Sequence, residues 1–67
     1  MLNSQVRLYE GEWFTEGKVV SVLDDIVIVD YCDWKQQYKL SELRTEYIFY
    51  VEVIIPTAPG TTIVDYR

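Results

Sequence analysis

From residue 5 to residue 44 the chain is written in a two-residue rhythm of apolar and polar side chains, broken at intervals by turn formers. Successive side chains of an extended strand point to opposite faces, so this rhythm specifies strands with one dry and one wet face. No segment carries the i, i+3, i+4, i+7 apolar spacing of a long amphipathic helix. Residues 5–9 are expected to form a first strand with Val6 and Leu8 inward, and Glu10, Gly11 and Glu12 a turn. Residues 13–23 follow as a long bent strand, with Gly17 at a bulge or sharp bend and Asp24-Asp25 in a tight hairpin. Residues 26–31 are an almost pure β-branched run and the expected central strand. The next segment places Trp34, Gln36, Tyr38 and Leu40 on one face and Lys35, Gln37 and Lys39 on the other. Residues 41–44 suit a single helical or 3₁₀ turn capped by Ser41.

The last third extends this unit. Residues 47–55 are expected as one long strand, with Tyr47, Phe49, Val51, Val53 and Ile55 on one face and Ile48, Tyr50 and Ile54 around a lone Glu52 on the other. A small barrel covers only one such face, so the other calls for a return strand, a second copy or a different protein. Residues 56–60, with two prolines and a glycine, break the strand. Residues 61–66 return as a final strand that pairs with 47–55 or reaches into another chain. The expectation is a single all-β domain over residues 1–67: a small barrel core at 5–44, then a C-terminal strand, a Pro-Gly turn and a final strand or arm at 45–67.

Composition limits what such a domain does. Six Lys and Arg against eleven Asp and Glu leave a formal charge of −5, which repels phosphate backbones and favours basic protein surfaces, so no direct nucleic-acid binding is expected. Cys32 is the only cysteine, which fits a reducing compartment. The first residues lack the basic and apolar regions of a signal peptide, and no apolar run approaches the ~20 residues of a membrane span. A soluble intracellular protein without membrane contact is expected, in the host cytoplasm if the chain is viral. No histidine is present, no glycine-rich loop cradles a phosphate, and Cys32 has no imidazole to activate it. Asp24, Asp25, Asp30 and Asp33 lack calcium-loop spacing. No enzyme activity, metal or cofactor is expected.

Residues 5–44 resemble the Tudor pattern, a small SH3-like barrel. The resemblance rests on Leu8-Tyr9-Glu10-Gly11, Trp13-Phe14, Lys18-Val19-Val20-Ser21-Val22, the run Val29-Asp30-Tyr31-Cys32-Asp33, and the closing Leu40-Ser41-Glu42-Leu43-Arg44. Other SH3-like subunits, of photosystems and ferredoxin-linked enzymes, are similar over the second strand. What the Tudor resemblance implies is an aromatic cage whose ring faces attract a methylated lysine or arginine. Tyr9 and Tyr31 fall on cage positions, a third falls on Phe14 or Thr15, and the fourth is Ile28, which offers no π-face. Asp33 replaces the usual asparagine and suits a cation that keeps N–H donors. Cys32 replaces a turn glycine, where a positive φ would strain it.

Peptide-binding residues are thus expected at Tyr9, Phe14, Tyr31 and Asp33, with Trp13, Phe14, Trp34 and Phe49 as core. Six tyrosines are too many to bury with every hydroxyl satisfied, so Tyr38, Tyr47, Tyr50 and Tyr66 are candidates for a protein interface. The function expected is a non-enzymatic interaction module for a basic or methylated peptide or protein surface. Its alternatives are a small acidic inhibitor or accessory protein of viral or phage type aimed at a basic nucleic-acid-binding site of a host protein, and a structural subunit that assembles through its C-terminal strand, with a homo-oligomer as one such assembly.

Overall fold

The computed structural model describes residues 1–58 and, as backbone, 62–64. Among the described residues seven strands and one 3₁₀ turn follow one another: β1 Gln5–Glu10, β2 Trp13–Leu23, β3 Ile26–Asp30, β4 Lys35–Lys39, the turn η1 Leu40–Glu42, β5 Leu43–Ile48, β6 Val51–Pro56 and β7 Thr62–Val64. The all-β class and the meander β1–β4 are as the alternation specifies. All seven strands join one mixed sheet in the order β5-β6-β1-β2-β3-β4-β7. Neighbours are antiparallel except β1 and β6, which run parallel and meet at Val6 and Ile54.

The sheet has two edges, β5 and β7, and does not close into the expected barrel. The cause lies in residues 47–55, which do not run as one strand. The chain reverses at Phe49-Tyr50, so that Ile48 pairs with Val51 and Tyr47 with Glu52. β6 then takes the place beside β1, and β5 becomes an outer edge. The final segment also differs from expectation: Thr62–Val64 pairs with β4, opposite residues 35–37, and not with residues 47–55.

The meander still curls. The core is a set of small β-branched side chains, Val6, Val19, Val27, Val29 and Ile54, closed by Tyr31 and Tyr38, with Leu8, Trp34 and Leu43 packed against it. Val53 and Ile55 are buried on β6 outside that cluster, so residues 53–55 of β6 are dry on both sides, whereas Val51 and Glu52 stay exposed. The curl brings distant ends together: Leu40 N–H donates to the Asp25 carbonyl at 2.7 Å, and Thr57 N–H to the Glu42 carbonyl at 2.7 Å. The turn η1 starts from Lys39, not Ser41, and the Lys39 N–H is satisfied by the Glu42 carboxylate reaching back at 2.9 Å.

Two sequence expectations about β2 change. The irregularity falls between Val19 and Ser21, where Val20 is the extra residue, and not at Gly17. Gly17 keeps regular register opposite Val6. Its lack of a side chain serves close packing, since a Cβ there would sit 2.7 Å from Tyr31 Cδ1 and 2.9 Å from the Asp30 carbonyl oxygen. The large aromatics also redistribute. Trp13 is 79% exposed and Phe49 90% exposed, and Phe14 is exposed, so only Trp34 of the four expected core aromatics packs inside. A tightly curled small sheet fills its interior with valines, leaving no volume for rings carried at hairpin ends.

Candidate functional site

The outward face of the β1–β2 hairpin carries Gln5, Arg7 and Tyr9 opposite Lys18, Glu16 and Phe14. Tyr9 and Phe14 are direct cross-strand partners, their rings 5.5 Å apart and tilted by 54°. The Arg7 guanidinium carbon lies 4.5 Å from the centre of the Phe14 ring, so one ring face already holds an internal cation. Glu16 anchors that cation from the next strand, its carboxylate 3.5 Å from Arg7 Nε, and also accepts from the Gln5 amide.

Tyr31 is placed elsewhere. It is 2% exposed, its ring stacks on Trp34 at 5.1 Å and 29°, and its hydroxyl lies 2.8 Å from that of Tyr38. Tyr31 and Tyr38 thus form a buried polar pair inside an apolar core, one hydroxyl donating to the other. Asp33 lies in the exposed turn between them, which the Tyr31 N–H closes onto the Trp34 carbonyl at 2.9 Å. Ile28 is half-buried on β3. Cys32 is exposed with φ at 82°, the left-handed region a glycine would favour, and its N–H donates to Asp30 Oδ1 at 2.8 Å. That bond from an Asp side chain two residues back compensates part of a backbone cost of about 1–2 kcal/mol.

Among the expected interface tyrosines, Tyr38 is in the core, Tyr47 is 73% exposed and Tyr50 fully exposed, and Tyr66 lies outside the described residues. The β5–β6 turn carries no marker in the sequence. No glycine, asparagine, aspartate or proline marks Phe49-Tyr50. The usable signal was length, since a nine-residue apolar strand exceeds the usual five or six and has no means of covering both faces.

Burial pushes the hydroxyls of both Tyr31 and Tyr38 above their ordinary value of 10.0, because ionising either would place a charge in the apolar core. The folded chain then keeps protons that the unfolded chain gives up above about pH 10, so unfolding releases protons and stability falls as pH rises. Urea midpoints are expected to be unaffected by this pair below about pH 9 and to drop above about pH 10. A Tyr31→Phe, Tyr38→Phe variant should lose that part of the alkaline drop, and an equal drop in the variant would show that the pair does not cause it.

Two shallow depressions flank the sheet. One of about 620 Å³ is lined by Asn3, Gly17, Lys18, Asp30 and Cys32, the other of about 380 Å³ by Leu8, Tyr38, Pro56 and Thr57 among others. Among the described residues no cluster of three or more His, Cys, Asp or Glu is placed to hold a metal ion, and no helix is long and apolar enough to cross a membrane. No protein-family model, curated protein or solved structure matches the chain.

Proposed function

We propose that this chain is a non-enzymatic protein-interaction module that takes a basic protein or peptide surface. One observation carries the proposal: Trp13, Tyr47, Phe49 and Tyr50 are left largely in water at the ends of hairpins, on a chain with a net charge of −5. Exposed rings of this size are the residues that anchor interfaces, and the acidic field selects basic partners. The order of a four-strand meander followed by a 3₁₀ turn supports reading the fold as an opened relative of the Tudor-type SH3-like barrel. The placement of Tyr31 in the core and of Arg7 over Phe14 favours an unmodified basic partner over a methylated one.

Titration of the full chain with an arginine-rich peptide, unmodified and dimethylated, tests this. The expected result is binding that weakens with added salt and differs less than about threefold between the two peptides, since Tyr31 is buried and Arg7 already covers the Phe14 ring, leaving no set of rings among the described residues that converges on a methylated cation. Absence of binding to either peptide overturns the proposal; strong preference for the methylated one restores a working cage around Tyr9 and Phe14.

A further inference from the structure

We infer that the tip of the β5–β6 hairpin, Phe49 and Tyr50 backed by Tyr47, is a plug for a concave apolar pocket with a basic rim on a partner protein. This rests on the interaction-module proposal and assigns its contact to one place. The pairing of Ile48 with Val51 leaves a two-residue turn, and both of its residues take left-handed backbone, Phe49 with φ at 51° and Tyr50 with φ at 65°. That is the type I′ geometry, which strongly favours Asn-Gly and disfavours bulky side chains. The two rings return nothing to the fold for this conformation, being 90% and 101% exposed. Local backbone preference is given up to hold two rings in water, a pattern of strain found at ligand-contacting sites.

Shape and charge select the occupant. A tip two residues wide is convex, so only a concavity surrounds both rings; two such tips meeting would leave most of each in water. Residues 44–58 carry Glu46, Glu52 and one cation, Arg44, which Glu46 engages at 2.9 Å, so the hairpin has a net charge of −1. A basic rim complements that charge. The same charge disfavours an anionic lipid surface, where inserted aromatics are normally accompanied by Lys or Arg.

The test uses the full chain, its Phe49→Asn, Tyr50→Gly variant, and two soluble cavities of opposite charge, amino-β-cyclodextrin and carboxymethyl-β-cyclodextrin. The variant is expected to melt at least about 4 °C higher than the parent, because the turn type now has its preferred residues. In the parent, NMR shifts on adding the cationic host should centre on residues 47–51, with affinity at least about fivefold above that for the anionic host, and both effects should vanish in the variant. Equal binding of both hosts, shifts centred on Trp13 instead, insertion of the tip into phosphatidylcholine or phosphatidylserine vesicles, or tip-dependent self-association in sedimentation would each overturn the plug. Because the variant keeps Tyr9, Phe14 and Trp13, peptide binding that persists in the variant, together with no host binding by the parent, would sink the plug alone. Host binding without any peptide binding would sink the basic-peptide proposal alone.

Discussion

Replacing Tyr31 by alanine is expected to leave the chain largely unfolded at 25 °C. The ring packs over Gly17, stacks on Trp34 and carries one half of the buried hydroxyl pair. Truncating a buried aromatic costs about 3–5 kcal/mol, and leaving the Tyr38 hydroxyl without its partner adds about 1–3 kcal/mol. A chain of 67 residues has about 3–10 kcal/mol in total, so the loss is comparable to all of it. Tyr31→Phe keeps the ring and the stacking and removes only the hydroxyl pairing, for an expected loss of about 1–2 kcal/mol. Far-ultraviolet circular dichroism and urea melts of the two variants check this. A Tyr31→Ala chain that melts like the parent yet binds basic peptides less well would instead make Tyr31 a surface residue, as expected from the sequence.

Gly17→Val is expected to be equally damaging, for a steric reason. Even a single added carbon would stand 2.7 Å from Tyr31 Cδ1, 2.8 Å from Val29 Cγ1 and 2.9 Å from the Asp30 carbonyl oxygen. The Tyr31 ring is held by Trp34 and Tyr38, and the Asp30 carbonyl belongs to β3, so neither neighbour is free to yield. Overpacking by one carbon, as in Gly17→Ala, costs about 1–3 kcal/mol, and the two further methyl groups of valine bring the loss toward the whole stability of the chain. Gly11→Ala is the informative contrast. A Cβ at Gly11 meets nothing within 4 Å, but φ is +65°, so only the backbone preference is lost, about 1 kcal/mol. Denaturation midpoints falling in the order parent, Gly11→Ala, Gly17→Ala, Gly17→Val would bear out both accounts. A neutral Gly17→Ala would mean that the Tyr31 ring does not lie where its contacts place it.

These two positions also mark how far the chain is legible before it folds. The glycine at 17 is conspicuous inside a strand pattern, yet bulge and close approach are equally good reasons for it, and only the position of Tyr31 across the curl decides between them. Cys32 was legible as a strained turn residue, and its φ of 82° is that strain. The residues expected to form a cage divide for a similar reason. Tyr9 and Phe14 meet because β1 and β2 are joined by a two-residue turn that sets their register. Tyr31 lies at the end of β3, where the same strand-end position serves a surface cage or a core lid, depending on how sharply the sheet bends.

The sequence by itself determined the all-β class, the four-strand meander with its turns at Gly11 and Asp24, the 3₁₀ turn that follows, and the acidic character of the surface. Each of these depends on side-chain alternation, turn chemistry or charge count, which are properties of neighbours in the chain. Only the tertiary structure decided that the sheet stays open, that residues 43–56 fold back at Phe49-Tyr50, that β7 covers β4, and which rings face water. Those outcomes depend on which strand reaches the free edge of β1 and on how little volume a tightly curled interior of valines leaves. No local pattern encodes either quantity, because each is a sum over contacts between residues far apart in the chain.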